Sequence, residues 1–332
     1  MTPAERAQRR LQDLADRLEP SLRRAFLDMA RGLAPESLAE LVRLLESGQL
    51  DAAVAYLTGS PRAVAAVSAA RSAYAGGIIR TVSAVVRDIA SESPRRLVIA
   101  SPVASPDLIA AVRRWEDGAF ARVQREVREG LRATIATELE RGIGPRQVAV
   151  RLKAGMGGGL TAYDRKIIAN FRRELEEGRI GDASRRALRD RRLRLTNLTP
   201  AQIDKAVAAY ERKLVAFRAE TFARTAAMQA ANEASGVGWK EAVRQGVVPA
   251  AEVRRYWVVS ADERLCQVCA PVPGLNENGV GLDDLFTTPN GPALHPPLHP
   301  KCRCTTWTRR VRAGVRQLPA PGTTRLVLPR TA

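Results

Sequence analysis

Asp262-Glu263-Arg264-Leu265-Cys266-Gln267-Val268-Cys269 and His295-Pro296-Pro297-Leu298-His299-Pro300-Lys301-Cys302-Arg303-Cys304 open and close a stretch that holds every cysteine and both histidines of the chain. A C-x-x-C turn lets two thiolates reach one ion, and a structural zinc site takes four ligands, thiolates with or without an imidazole. The second turn must supply the other two, and it offers three: His299, Cys302 and Cys304. The spacing favours Zn²⁺ held by Cys266, Cys269, His299 and Cys302, with Cys304 competing for the last place. His295 reads as a turn residue beside the site.

Other chemistries fit the same residues less well. Two disulfides are formally available to four cysteines, but disulfides belong to oxidising compartments, and nothing in the sequence directs the chain to one. A catalytic zinc needs an open position and an acid–base group nearby. H-E-x-x-H is absent, and so is the H-x-E followed by P-C-x-x-C of zinc deaminases. The C-x-x-C also lacks the βαβ setting of a thiol oxidoreductase. No nucleophile–base pair or nucleotide loop appears elsewhere, so the chain reads as a non-enzyme with a structural metal.

With 332 residues the chain can build two or three domains, and its Ala, Leu, Arg and Glu content favours helix. The expected class is mainly α: helical N-terminal and central regions, with a small β-containing C-terminal zinc-knuckle module. Lys and Arg outnumber Asp and Glu by 53 to 35, a net charge of +18 that calls for an anionic neighbour, nucleic acid or an acidic protein surface. Met1-Thr2-Pro3-Ala4-Glu5-Arg6 is no signal peptide, and no apolar window is long enough for a membrane span. The chain is therefore expected in a reducing cytoplasm, with no membrane partner.

Composition divides the chain into consecutive segments: 1–95, a helical N-terminal region; 96–254, a central domain of long helices; 255–312, the zinc module; and 313–332, a flexible basic tail. Thr2-Pro3-Ala4-Glu5 is a helix start, followed by Leu11, Leu14, Leu18, Leu22, Phe26 and Met29 on one face. Pro20 is expected to kink or split that helix, and Gly76-Gly77 to bend or interrupt a later one. Helices are expected over about Glu36 to Ser47 and from Asp51, and Ser91 to Pro106 reads as a linker. A long helix from Pro106 should end at Gly142-Ile143-Gly144-Pro145. Gly155-Met156-Gly157-Gly158-Gly159 lacks the Lys-Ser/Thr of a phosphate loop and reads as a connector into a helix capped by Thr161.

Arg185, Arg186, Arg189, Arg191, Arg192 and Arg194 form a basic run that reads either as a phosphate-tracking patch on double-stranded DNA or as a solvated helix face. Thr199-Pro200-Ala201-Gln202 starts another helix, where Ile203, Val207, Tyr210, Leu214 and Phe217 repeat as a heptad seam. That seam leaves self-association open. Gly236 and Gly238 should stop this helix. Arg255 to Ser260 and Thr305 to Thr308 read as strands. The long loop from Gly274 to Pro292 needs a clamp at both ends, which the metal would supply.

The C-terminal half, from about Gly142 to the tail, resembles the phage Mu F-like minor head proteins, the phage head morphogenesis family. The likeness rests on Phe222-Ala223-Arg224-Thr225 with Asn232, Tyr256-Trp257, Asp262-Glu263-Arg264-x-Cys266-x-x-Cys269, and Pro297-x-His299-Pro300-x-Cys302-Arg303-Cys304. The chain departs from the family at Ala226, where an acidic residue is common. The resemblance implies a minor virion component acting with the portal protein, and with a capsid or scaffold protein, in head assembly and genome packaging or delivery. It would lie inside the head or procapsid near the portal, after synthesis in the bacterial host cytoplasm. Arg224 and Asp262 are read as structural, through ion pairs and hydrogen bonds to turn amides. A competing function, a zinc-dependent nuclease linked to packaging, would need His295, Asp283 or Asp284 as its acid–base group.

Overall fold

The computed structural model describes residues 2–91, 105–179, 198–260 and 266–311. Most of the expected linker, the arginines from Arg185 to Arg194, the motif residues Asp262 and Arg264, and the tail lie outside the described residues. The chain is mainly α, with one small antiparallel sheet near its C-terminus. The helices are α1 (Pro3–Gly32), α2 (Leu38–Glu46), α3 (Leu50–Thr58), α4 (Pro61–Ser91), α5 (Pro106–Trp115), α6 (Ala121–Glu140), α7 (Pro145–Lys153), α8 (Ala162–Glu176) and α9 (Pro200–Arg244). After them come strand β1 (Val253–Val258), the helical turn α10 (Val272–Leu275) and strand β2 (Thr305–Arg310).

Helix starts fall where cap chemistry places them. Thr2 and Glu5 exchange side-chain and backbone hydrogen bonds, and so do Thr199 with Gln202 and Thr161 with Asp164. Interior interruptions do not fall where local propensity puts them. Pro20 does not split α1: its ring is on the exposed face, where water can take the freed carbonyl, and Leu18 and Leu22 on either side are buried. The pair Gly76-Gly77 does not break α4 either, because a Cβ at Gly77 would stand 2.3 Å from Leu18 Cδ2. Gly236 and Gly238 likewise leave α9 intact, and a Cβ at Gly238 would come within 2.9 Å of Val85 Cγ1. At Gly77 and Gly238, packing outweighs a propensity cost of about 1 kcal/mol per glycine. The expected single helix after Pro106 instead carries a π turn at Glu116–Phe120, over which Trp115 and Phe120 stack with centroids 4.6 Å apart.

Two compact units result, and neither follows the consecutive segments read from composition. Long helices contribute different stretches of themselves to different cores, which a linear reading cannot register. The first unit takes residues 1–22, 72–114 and 221–332. In it Arg224 of α9 pairs with Asp16 and Glu19 of α1 at 3.1 and 3.2 Å, and Lys240 and Arg244 of α9 pair with Asp107 of α5.

The second unit takes residues 23–71 and 115–220. Its core includes Leu160, Ile168, Phe171, Leu175, Ile203, Val207 and Tyr210, with Phe171 edge-on to Tyr210 at 4.9 Å. The expected seam on α9 is thus buried within its own unit as far as Tyr210, whereas Phe217 is 56 % exposed. Backbones approach closely here: a Cβ on Gly130 of α6 would lie 1.8 Å from the carbonyl oxygen of Leu160.

A backbone carbonyl cannot step aside as a leucine tip can. Gly130→Ala should therefore destabilise the protein by about 1–3 kcal/mol, despite alanine's better helix propensity. Urea denaturation followed by circular dichroism checks this, and an unchanged or raised midpoint would count against the close contact.

Candidate metal centre

The sheet brings the two sequence motifs together. Strands β1 and β2 pair antiparallel with Val258 opposite Thr305, so the chain leaving β1 and the chain entering β2 start side by side. Cys266 and Cys269 follow the first strand, and Cys304 immediately precedes the second. Trp257, Val272 and Phe286 pack with Cys269, Cys302 and Cys304 in one apolar cluster, Trp257 edge-on to Phe286 at 5.3 Å.

Five donors converge there as two overlapping triads: Cys266, Cys269 and His299; and Cys269, Cys302 and Cys304. Within each, the ligand atoms lie within 4.8 Å of one another. His299 Nε2 stands 3.0 Å from Cys266 Sγ and 3.3 Å from Cys269 Sγ, and Cys269 Sγ is 3.8 Å from Cys302 Sγ. His299 Nδ1 lies 2.9 Å from the Pro300 carbonyl, which can only accept. Nδ1 therefore carries the hydrogen, and the lone pair of Nε2 faces the sulfurs. The Cys269 N–H donates to Cys266 Sγ at 3.3 Å, as a turn amide should toward a thiolate. Hydrogen bonding among the crowded thiols pushes Cys269 up in pKa and Cys302 down. A cation removes that conflict by stabilising every sulfur as thiolate. This group can hold a metal ion.

Residues outside the two Cys/His stretches brace the second turn and the strand ends beside it. Lys301 sits at φ 59°, a left-handed conformation that its N–H fixes by donating to Thr225 Oγ1 of α9 at 3.1 Å. One α9 face supplies both Thr225 and, two turns on, Asn232. The Asn232 Oδ1 accepts from the Thr306 N–H at 2.8 Å, and its Nδ2 donates to the Met228 and Cys304 carbonyls. Helix α1 reaches the module as well, Gln8 donating to the Val259 carbonyl and Gln12 to that of Arg303.

The long loop has a clamp besides any metal. Arg255, only 3 % exposed, donates from Nε to the Gly281 carbonyl at 2.9 Å, from Nη1 to Leu294 at 2.7 Å, and from Nη2 to Asp284. Burial lowers its pKa to about 10, although Asp283, Asp284 and Glu233 oppose the shift. Asn276 ties the same loop to Thr287 in both directions, at 2.9 and 3.0 Å. To the clamp expected from the metal the structure adds a second: buried carbonyls need donors, and Arg255 supplies three. Only its place in the apolar run Tyr256-Trp257-Val258 hinted that this arginine points inward.

The remaining sequence candidates fall elsewhere. Arg224 serves the α1–α9 contact described above. His295 belongs to neither donor triad: its Nε2 is 3.0 Å from Glu233 Oε1, and its Nδ1 faces the Pro296 carbonyl at 2.6 Å. Glu233, which the sequence reading passed over, also takes a two-pronged bond from Arg114, at 3.2 and 2.7 Å. Asp283 pairs with Lys240, and Asp284 accepts the Gly281 N–H at 3.1 Å.

Comparison of the chain with family models, with curated proteins and with solved structures finds no match. Its class therefore rests on its own geometry: a mainly α-helical protein whose small C-terminal sheet carries a Cys/His group able to hold a metal ion. No helix among the described residues is long and apolar enough to cross a membrane.

Burial alone would raise the Glu233 carboxyl, but His295 and then Arg114 outweigh it and hold the pKa at about 2, below the ordinary 4.5. The unfolded chain therefore takes up this proton first, so the stabilisation is complete above about pH 4.5 and drains away as pH falls toward 2. Glu233→Gln should cost about 3 kcal/mol at neutral pH and flatten the dependence of the urea midpoint on pH across that window. An unaltered slope would mean that Glu233 is not the titrating group.

Proposed function

We propose that the chain is a minor capsid, or head morphogenesis, protein of a tailed phage or prophage. It acts with the portal in procapsid assembly and in genome packaging or delivery, and it carries a structural Zn²⁺. The observation that carries this reading is the convergence of Cys266-x-x-Cys269 and His299-x-x-Cys302-x-Cys304, the most specific part of the family resemblance, into two donor triads that share Cys269. Thiolate–imidazole sets are the chemistry of structural zinc, whereas oxygen-rich sets suit magnesium or calcium.

One distance supports Cys302 as fourth ligand, although Cys302 groups with Cys269 and Cys304 rather than with Cys266 and His299 and must draw toward them. Two sulfurs each about 2.3 Å from a tetrahedral zinc stand about 3.8 Å apart, and the Cys269–Cys302 separation is 3.8 Å. The same geometry puts sulfur and nitrogen about 3.6 Å apart, so the His299 ring retreats slightly as the ion seats. Cys304 stays close enough to Cys269 and Cys302 to substitute. Once bound, the zinc locks two distant turns and the loop between them into one rigid knuckle.

The net charge of +18 suits a protein packed beside a genome. A location inside the head near the portal and contacts with portal, coat or scaffold and double-stranded DNA follow from the family likeness. As support against the nuclease reading, His295, Asp283 and Asp284 each hold a structural partner.

Co-expression with the portal and coat proteins of its source phage or prophage tests the reading. The chain should sediment with procapsids at a few copies per particle, and Cys269→Ser should leave it at the top of the gradient. Wild-type protein that never enters the particles would overturn the assignment. So would metal-dependent cleavage of labelled DNA that disappears in His295→Ala.

A further inference from the structure

The second unit contains a cavity of about 760 Å³ that the metal centre does not use. One wall is apolar and includes Leu160, Ile168, Val207 and Val215. Another is Gly155, Met156, Gly157 and Gly158, together with Arg165 from the first turn of α8. Charged side chains line much of the remainder, and a cavity of this size that sets polar groups beside an apolar wall is a common form of small-molecule site.

Arg165 is 8 % exposed, yet its guanidinium is only partly engaged. Nη1 pairs with Glu211 Oε1 at 2.5 Å, while Nε and Nη2 are buried without a hydrogen-bond partner among the described residues. These two nitrogens form the parallel N–H fork that grips an oxyanion in two places. This chain uses the same fork elsewhere: Nε and Nη2 of Arg114 hold both oxygens of Glu233, and those of Arg43 hold both oxygens of Glu40.

Apart from Glu211, which Arg165 itself holds, the carboxylates that line the cavity are occupied by other arginines. Glu138 is held by Arg141 and Arg151, and Glu176 and Asp204 by Arg172. Beside the fork only glycine fits without a side chain pressing on it. At Gly157, φ is +82°, and a Cβ would lie 2.9 Å from Thr134 Oγ1 and 3.0 Å from Arg165 Nη2.

We propose that this cavity binds an amphipathic organic anion, with a carboxylate or phosphate head on the Nε/Nη2 fork of Arg165 and an apolar body along Leu160, Ile168 and Val207. The glycine run then has a role beyond connecting two helices. It does not wrap a phosphate as a nucleotide loop does; it keeps side chains off the Nη2 edge of a buried arginine, which a head group would reach by a small opening of the loop.

Isothermal titration of the purified full-length protein with decanoate, decyl phosphate and inorganic phosphate tests this. One molecule of decanoate or decyl phosphate should bind per chain, with inorganic phosphate weaker because it lacks the apolar body. Whichever of the two binds tighter identifies the head group. Arg165→Lys keeps the charge and removes the fork; Ala208→Phe fills the cavity and leaves Arg165 in place. Both should weaken binding at least tenfold, with folding checked by circular dichroism, and Ala208→Phe decides if the lysine variant does not fold. No binding of either probe to wild-type protein, or undiminished binding to folded Ala208→Phe, would overturn the site. Salt-sensitive uptake of several molecules per chain would also overturn it, since the charged surface alone accounts for that.

Discussion

Three buried cysteines, a fourth half-buried one and an imidazole crowded into one apolar cluster are unfavourable neighbours until a cation joins them. As thiols they satisfy one another poorly. As thiolates without a counter-charge they repel and lose hydration. Much of the first unit can be understood as a scaffold for that crowding. The sheet sets the two chain ends side by side, and α9 lends Thr225 to one turn and Asn232 to the strand after it. Arg255 ties down the loop between, so the donors do not depend on a floppy connection to meet.

The scaffold is itself built on buried polar groups, which makes it selective rather than merely stable. A buried charge that keeps its partners costs little, while one that loses a partner is expensive. Arg255 with three carbonyls and Glu233 with Arg114 and His295 are of this kind. Such groups fix one register for the loop and one seat for α5 against α9, where apolar packing alone would tolerate slippage. The second unit follows a different logic, with small residues and glycines that allow close backbone approach around an apolar core.

Sequence made short-range features plain and long-range ones obscure. The cap pairs Thr2 with Glu5, Thr161 with Asp164 and Thr199 with Gln202 need only three residues of spacing, and all three form. The donor turns were legible for the same reason: C-x-x-C and H-x-x-C state their chemistry locally. Gly76-Gly77 and Gly238 misled because the partner that makes a glycine valuable, Leu18 or Val85, lies far away in the chain. Glu233 was invisible, and Arg255 nearly so, because a charged residue in a basic, helix-rich sequence reads as solvated until its partners are known. Units assembled from separate stretches are not legible in composition, since long helices share their faces between cores.

The central claim is that thiolates from two distant turns share one zinc ion, and metal content tests it most directly. Elemental analysis of freshly purified, unchelated protein, paired with titration of free thiols after denaturation in chelator, should give one zinc per chain and four reactive sulfurs. Protein without a bound transition metal, its sulfurs cross-linked in pairs, would contradict the account and leave the viral assembly reading on resemblance alone.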